Sequence, residues 1–272
     1  EYVLTEAFMQ EWRLIVDDPR DGESNMAVDR AILAACEAGQ VPPTLRLYSW
    51  KRPTMTVGYA QKLREIDVDR CKKLGIQIVR RPTGGRALFH NHEVTYSFTA
   101  PIPHPEFSSS LFGAYKVVAG ALLEGLKEIG VSDAVLSSGR KTNKDEGSFH
   151  SASCLSSISH FEIEAQGAKL IGSAQRRTKK AFLQQGSMLL DCDRTLLGSL
   201  FKYETDDLRC RAMEILNSKV ITLSECLGKN MTHDDIFCSL KNGFARALLG
   251  KWRQEHLNSF ELAQCLSNSN SG

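Results

Sequence analysis

The segment 80–86 reads RRPTGGR and places three arginines beside two adjacent glycines, directly after a predicted strand. Adjacent glycines let the backbone approach a ligand closely and point N–H groups at a carbonyl or phosphate oxygen. Arginines crowded into such a turn favour an anionic or carbonyl-bearing neighbour. A solvated turn between two strands accounts for the same spacing equally well. The segment therefore predicts either a ligand-binding turn or an ordinary loop.

Lys169 lies in the segment 167–175, GAKLIGSAQ, where it alternates with apolar residues as it would on a strand. A single lysine on a strand is usually solvent-facing. Here the small residues Gly172, Ser173 and Ala174 follow it and leave room for a ligand beside the side chain. We predict a lysine that contacts a ligand.

Cys154 is surrounded by small hydroxyl residues in the sequence SASCLSS. Such neighbours keep a thiol accessible, and the basic residues His150, His160 and Lys169 would favour its thiolate form. A cysteine activated in this way forms covalent intermediates as a nucleophile. An inert, half-exposed thiol is the alternative interpretation, and the residues alone favour it.

His90 and His92 have the spacing of a metal-binding pair, but no third ligand is evident nearby in the sequence. Histidines that are structural, or that contact a substrate, are more common than metal ligands in this context. We predict no metal site. The chain also lacks a P-loop, a GxGxxG turn and an HExxH motif, which argues against the common nucleotide sites and zinc proteases.

Periodicity predicts the elements that must position these residues. The predicted strands are residues 12–16, 44–50, 54–59, 76–80, 93–100 and 181–190. The predicted helices are residues 25–38, 67–74, 111–129 and 232–249. The first, second and fourth are followed directly by a glycine, at 39, 75 and 250, and a glycine there favours the end of a helix. We expect residues 44–59 to form one hairpin and residues 161–171 another, with Gln166–Gly167 at its turn. The polar stretch 139–153 predicts a surface loop.

The composition predicts an ordinary globular protein. The chain has 272 residues, is 42% hydrophobic and contains no Pro-rich or Gly/Ser-rich linker. A net charge of +2 gives no reason to expect a nucleic-acid partner, and no apolar run approaches the roughly 18 residues of a membrane helix. Eight scattered cysteines without a CxxC pair, and an N-terminus unlike a signal peptide, predict a cytoplasmic location.

Taken together, RRPTGGRALFH, the cysteine, GAKLIGSAQ and FLQQGSMLL resemble the biotin/lipoate protein ligase superfamily, and within it octanoyltransferases of the LipM type. The similarity extends from about residue 12 to residue 190. It implies an α+β fold, a mixed β-sheet flanked by helices. We expect a catalytic core at 1–195, a small helical C-terminal region packed on it at 196–266, and a disordered tail at 267–272.

The resemblance also implies the chemistry. Cys154 falls where the family's nucleophile accepts octanoate from acyl carrier protein as a thioester. The acyl group then passes to a lysine of a lipoyl domain or of the glycine cleavage H protein, without ATP, another cofactor or a metal. Lys169 matches the active-site lysine that contacts the acyl carbonyl. The implied substrate-binding residues are Arg80, Arg81, Thr83, Gly84, Gly85, Arg86, His90, Gly172, Ser173 and Ala174.

Two further roles follow from this chemistry. Backbone N–H groups around Gly84 and Gly85 would stabilise the tetrahedral oxyanion. The basic stretch 176–180, RRTKK, would guide the docking of the acidic carrier proteins.

Three alternatives remain open at this point. An ATP-dependent lipoate–protein ligase has the same fold but usually carries GGGA where residues 84–87 read GGRA, and it needs no cysteine at 154. An amidotransferase between lipoyl domains would use the same cysteine. A non-catalytic binding module would have no reason to retain both Cys154 and Lys169. Leu155 follows the cysteine where family members often have an aromatic residue, which puts the acyl-chain preference in doubt.

Overall fold

The structure is a computed structural model, and it describes residues 9–108, 110–137 and 162–269. The strands are β1 (Glu11–Val16), β2 (Thr44–Tyr48), β3 (Thr54–Val57), β4 (Gln77–Arg80), β5 (Leu88–His90), β6 (Glu93–Pro101), β7 (Val135–Leu136), β8 (Ile163–Ala165), β9 (Ala168–Arg177), β10 (Ala181–Leu189) and β11 (Lys251–Gln254). The helices are α1 (Gly22–Glu37), α2 (Val68–Lys73), α3 (Leu111–Glu128), α4 (Arg194–Ser199), α5 (Asp206–Lys219), α6 (Leu223–Leu227), α7 (His233–Ala247) and α8 (Ser259–Ser269).

The strands form two sheets. The larger has eight strands in the order β11-β1-β2-β6-β10-β9-β8-β7, and the smaller has three in the order β4-β3-β5. The larger sheet is mixed, because β1 pairs in parallel with β11 and β2 while the pairs from β2–β6 onward are antiparallel. The mixed sheet flanked by helices confirms the predicted fold class.

The central strand β6 has one apolar face and one polar face, and both are buried. All its residues from 93 to 100 are buried, and its apolar residues Val94, Tyr96 and Phe98 belong to the main core, with residues of α3 and α7. The alternate positions carry Glu93, Thr95, Ser97 and Thr99. Because side chains alternate between the faces of a strand, the opposite face of β6 is lined by polar groups.

Most predicted elements are confirmed, including the helix that became α3 and the hairpin of β8 and β9, where residues 166 and 167 have positive φ values of 52° and 78°. The helix α7 begins with the capping box that Thr232 and Asp235 predict. The hairpin predicted for residues 44–59 is wrong. Strand β2 pairs with β1 and β6 in the larger sheet, whereas β3 pairs with β4 and β5 in the smaller one.

The C-terminal part differs from a purely helical region. Strand β11 joins the edge of the larger sheet beside β1, which periodicity did not predict. The sequence predicts a disordered tail at 267–272. Helix α8 extends through Ser269, so residues 267–269 are helical. Residues 270–272 lie outside the described residues. The boundary near residue 195 stays a prediction. In the described ranges, no helix has the length and apolarity that a membrane crossing needs.

Candidate active site

The turn at 80–86 is held in shape by its own arginines. Arg81 is buried and donates from Nη2 to the carbonyl oxygens of Gly84 and Arg86, both at 2.7 Å. Arg80 donates from Nη1 to the carbonyl oxygens of Gly58 at 2.6 Å and Tyr59 at 2.9 Å. The carbonyl-bearing neighbours expected for these arginines therefore include the chain's own backbone.

One glycine of the turn packs closely against the backbone that follows β3. Gly85 has a φ of 88°, which disfavours any residue with a Cβ. A Cβ on Gly58 would overlap the carbonyl oxygen of Gly85. Gly58 and Gly85 thus fix the turn against the end of β3.

A buried hydrogen-bond chain ties this turn to helix α1. Thr83 donates from Oγ1 to Oε1 of Gln185 at 2.7 Å, and Gln185 donates from Nε2 to Oδ2 of Asp29 at 2.6 Å. Asp29 is fully buried and also accepts from Arg46 Nη1 and the Tyr48 hydroxyl, each at 2.8 Å. Burial, and then the Asp29 carboxylate, raise the pKa of Tyr48 well above its usual range, so the phenol remains a donor.

Sequence reasoning identified Thr83 but missed Asp29, Arg46 and Gln185. The available signal was the polar face of β6 together with the paired glutamines 184 and 185 on β10. A strand that is central in a sheet and still polar on one face indicates a buried polar network.

Lys169 is buried rather than solvent-facing. It lies at the start of β9 with 2% of its surface exposed, and its Nζ forms an ion pair and hydrogen bond with Glu162 Oε1. The register between β8 and β9 shifts beside Lys169, as in a β-bulge, a feature that re-aims side chains near functional sites. The backbone N–H of Ile221 donates to the carbonyl oxygen of Lys169 at 3.0 Å, so the segment between α5 and α6 holds the strand there. Glu162 is a fourth residue that the sequence did not reveal.

Many of these residues meet at one cavity between the two sheets and α1. Seven predicted residues line it: Arg81, Thr83, His90, Lys169, Gly172, Ser173 and Ala174. The rest of the lining includes Met26, Tyr48, Trp50, Leu88, Gln185 and Gly186. Its exposed surface is mainly apolar. Arg80, Gly84, Gly85 and Arg86 belong to the same turn without being part of the lining, and Cys154 lies outside the described residues.

His90 forms one wall of the cavity. Its ring stacks on Trp50 with centroids 4.0 Å apart, and its Nε2 lies 2.9 Å from the Thr56 hydroxyl oxygen. Burial lowers the pKa of His90, and the carboxylate of Glu93, 3.6 Å from Nδ1, offsets part of that effect. His92 is exposed and has a φ of 50°. No cluster of three or more His, Cys, Asp or Glu side chains that could hold a metal occurs in the described part of the chain.

Comparison with known proteins places these features in context. Residues 21–245 match the lipoyl protein ligase A/B catalytic domain. The chain is 37% identical over 257 residues to the octanoyltransferase LipM of Brevibacillus brevis, covering 94% of this chain and 93% of that protein. It is 35% identical to the octanoyltransferase LipM of Bacillus subtilis, covering 93% and 90%.

Solved structures support the same fold. The bi-partite lipoate protein ligase of Thermoplasma acidophilum superposes with a TM-score of 0.78 at 21% identity, covering 96% of this chain and 93% of that one. A lipoate-protein ligase A bound with ATP gives 0.77 at 22% identity, covering 96% and 95%.

Proposed function

We propose a function for this chain from the premise that it belongs to the lipoyl protein ligase A/B catalytic domain family. Within that family it is an acyltransferase that moves an octanoyl group in lipoate biosynthesis and protein lipoylation, as its octanoyltransferase relatives do. The observation that carries this proposal is a buried lysine, Lys169, in the wall of a mainly apolar cavity. An aliphatic acyl chain suits such a lining, and the ammonium group suits its carbonyl end.

The proposed donor is octanoyl–acyl carrier protein and the proposed nucleophile is Cys154. The Cys154 thiolate attacks the thioester carbonyl, a new S–C bond forms, and the carrier's thiolate leaves. A lysine amine of a lipoyl domain, or of the glycine cleavage H protein, then attacks the enzyme thioester. It loses a proton, and Cys154 leaves as the thiolate. The first exchange replaces one thioester by another and the second ends in an amide, so no ATP is needed.

Lys169 is the proposed stabiliser of both tetrahedral intermediates. Its ammonium would donate a hydrogen bond to the carbonyl oxygen as negative charge develops there, in a buried site where such interactions are strong. Glu162 keeps the ammonium oriented through the ion pair. The residues Arg80, Arg81, Gly84, Gly85 and Arg86 stay predicted contacts for the carbonyl and the carrier's arm.

We propose that the octanoyl group lies in this cavity. With carbon–carbon bonds of about 1.52 Å and angles near 111°, an extended eight-carbon chain is roughly 9 Å long. Helix α1, strands β3 and β5 and the glycine turn supply part of the lining. The rest comes from the neighbouring strands β2, β6, β10 and β9 or from directly beside β2, and three interstrand steps span roughly 14 Å. We propose that the chain lies across these strands. We also propose a cytoplasmic location, because described cysteines such as Cys36, Cys71 and Cys210 carry free thiols.

Intact-protein mass after mixing with octanoyl–acyl carrier protein, without ATP, tests the proposal. We expect one octanoyl adduct that hydroxylamine removes and that Cys154→Ser lacks. Cys210→Ser, which removes an exposed thiol instead, is the matched control and should keep the adduct. Lipoyl-domain modification only with ATP and free acid would instead identify a ligase. Transfer from an octanoylated lipoyl domain but not from the carrier would identify an amidotransferase.

A further inference from the structure

The second step of the proposed reaction releases one proton that neither Lys169 nor Cys154 keeps. The attacking amine becomes an amide nitrogen, so it must lose a proton as the amide forms. Lys169 acts there as an ammonium group, which has three donors and no lone pair. Cys154 leaves as the thiolate. A proton acceptor must therefore lie elsewhere in or beside the cavity.

Glu93 is a buried carboxylate in the wall between this cavity and a second, polar cleft. The polar cleft lies between the end of β1, the connection from β5 to β6 and the start of α7. Glu93 lines it together with the exposed residues Lys51 and His92, yet only 2% of its own surface is exposed. The hydroxyl groups of Thr95 and Ser187, two residues that line the cavity, both donate to the carboxylate. Glu93 thus connects the cavity with a water-accessible surface.

The hydrogen bonds to Glu93 have a fixed direction. An ionised carboxylate only accepts, so Ser187 donates its hydroxyl proton to Oε2 of Glu93. Thr95 donates from Oγ1 to Oε1 of Glu93 at 2.7 Å and accepts from Trp50 Nε1 at 2.8 Å. Because its proton is directed at Glu93, the hydroxyl oxygen of Ser187 has only lone pairs left for a partner in the cavity. Ser187 is therefore an acceptor for an N–H group that enters.

The strand register places Ser187 close to the ammonium group of Lys169. Ser187 on β10 pairs with Gly172 on β9, and such partners have Cα atoms about 4.5–5.5 Å apart. A Cβ on Gly172 would lie 3.2 Å from Nζ of Lys169. A carbonyl oxygen held by that ammonium group is therefore about one strand spacing from Ser187. An amine that attacks the same carbonyl group comes within reach of the Ser187 hydroxyl.

We propose that Glu93 takes the proton of the attacking amine and that Ser187 relays it. This inference rests on the proposed function and adds two residues to the same site. The acceptor nitrogen bonds to the thioester carbon, and the electrons of the C–S bond leave with Cys154 as the thiolate. One N–H proton passes to Oγ of Ser187 as the hydroxyl proton of Ser187 passes to Glu93. Solvent in the polar cleft then removes the proton, which restores the carboxylate.

His90 can hold the proton on its way out. Its Nδ1 is buried, makes no hydrogen bond within the described residues and lies 3.6 Å from Oε2 of Glu93. An O–H···N hydrogen bond needs roughly 2.8 Å, so a closure of about 0.8 Å lets the protonated Glu93 donate to this nitrogen. The other ring nitrogen lies 2.9 Å from the hydroxyl oxygen of Thr56, which keeps the ring in place. His90 also lines both the cavity and the polar cleft.

The variant Glu93→Gln tests the relay in the second step alone. Gln keeps the shape of the side chain and an oxygen that accepts from Ser187, but it cannot take up the proton. Acyl-enzyme is prepared with octanoyl–acyl carrier protein, and its decay with an unmodified lipoyl domain is followed by intact-protein mass. We expect the rate of transfer to fall by about 100-fold or more, with an unchanged KM for the lipoyl domain. The control Glu214→Gln makes the same change on an exposed position of α5 and should transfer at the native rate.

A second nucleophile distinguishes proton transfer from the positioning of the acyl group. Hydroxylamine attacks thioesters without help from a base, because it is weakly basic and gives up its proton to water. We expect native and Glu93→Gln acyl-enzymes to form octanoyl hydroxamate at equal rates. Ser187→Ala should show the same selective loss with the lipoyl domain. The double variant should be no slower than the slower single variant, since both changes interrupt one relay.

Native transfer rates in Glu93→Gln would overturn the proposal, and so would an equal loss with hydroxylamine and the lipoyl domain. Additive losses in the double variant would show that the two residues act independently and would overturn the relay. Thermal unfolding of each variant checks that it is folded, and Ser187→Ala alone decides the outcome if Glu93→Gln is not. A native protein that forms no acyl-enzyme would refute the proposed function and the relay with it. Equal transfer from acyl-enzymes that both form would refute the relay alone.

Discussion

Adding a single methyl group at Gly172 should displace the amine of Lys169 without unfolding the protein. A Cβ at this position would lie 2.8 Å from Cε and 3.2 Å from Nζ of Lys169. Ordinary carbon–carbon contacts begin near 3.4 Å, so Cε must retreat by about 0.6 Å. Because Nζ is paired with Glu162 in a buried site, the retreat also shifts the ammonium or weakens the pair.

The expected effects on rate and stability differ in size. A misplacement approaching 1 Å at a reacting group costs up to about 100-fold in rate, so we expect Gly172→Ala to lower kcat by about 10- to 100-fold. A displaced flexible side chain costs about 0.5–1.5 kcal/mol, and the loss of glycine's freedom in the unfolded chain returns about 0.4–1 kcal/mol. The melting temperature should therefore change by only a few degrees.

The assay is single-turnover acylation followed by intact-protein mass, with thermal unfolding measured on the same samples. Gly120→Ala is the matched control, because a Cβ on this α3 residue meets nothing within 4 Å. Native acylation kinetics in Gly172→Ala would refute the reasoning that the position of the Lys169 ammonium limits the reaction. A large loss of stability would show instead that the strand, and not the amine, absorbs the strain.

Three other predictions concern the buried polar groups. Gln185→Ala removes a hydrogen-bond donor to the buried carboxylate of Asp29. We expect the free energy of unfolding in urea to fall by about 1–3 kcal/mol and transfer to slow. An unchanged free energy of unfolding would show that this bond contributes nothing to stability. Burial lowers the pKa of His90 in the folded protein. Below about pH 6.5 the unfolded chain therefore binds more protons than the folded one. The free energy of unfolding then decreases as the pH is lowered, by up to about 1.4 kcal/mol per pH unit. His90→Asn should reduce that slope between pH 7.5 and pH 5.5, and an unchanged slope would assign the effect elsewhere. Glu261→Gln leaves buried Arg13 without its carboxylate and should cost about 3–5 kcal/mol, whereas Arg13→Met/Glu261→Leu should cost less; equal losses would contradict the ion-pair argument.

Much of the secondary structure was predictable because its signals are local. Alternating apolar residues predicted β6, helical spacing predicted α3, and Gly39 and Gly75 lie at helix ends with φ values of 67° and 68°. Each of these signals depends on a few neighbouring residues and on the conformational freedom of glycine. The family resemblance came from motifs of the same local kind.

Strand partners were less predictable. Residues 44–59 look like a hairpin, but β2 and β3 belong to different sheets, and β11 joins β1 across most of the chain length. A strand's own pattern shows which face is buried and not which strand supplies its hydrogen bonds. Pairing is decided by the packing of distant elements.

The candidate site divides in the same way. The sequence by itself predicted a candidate site in the glycine turn with its arginines and in the lysine beside small residues, because residue type and spacing fix what each group can donate or accept. Only the tertiary structure decided that Lys169 is buried against Glu162 and that Gln185 joins Thr83 to Asp29. Those contacts are made between residues far apart in the chain or across a bulge in the sheet. They exist because a buried charge or polar group must find its partner wherever the fold brings one close.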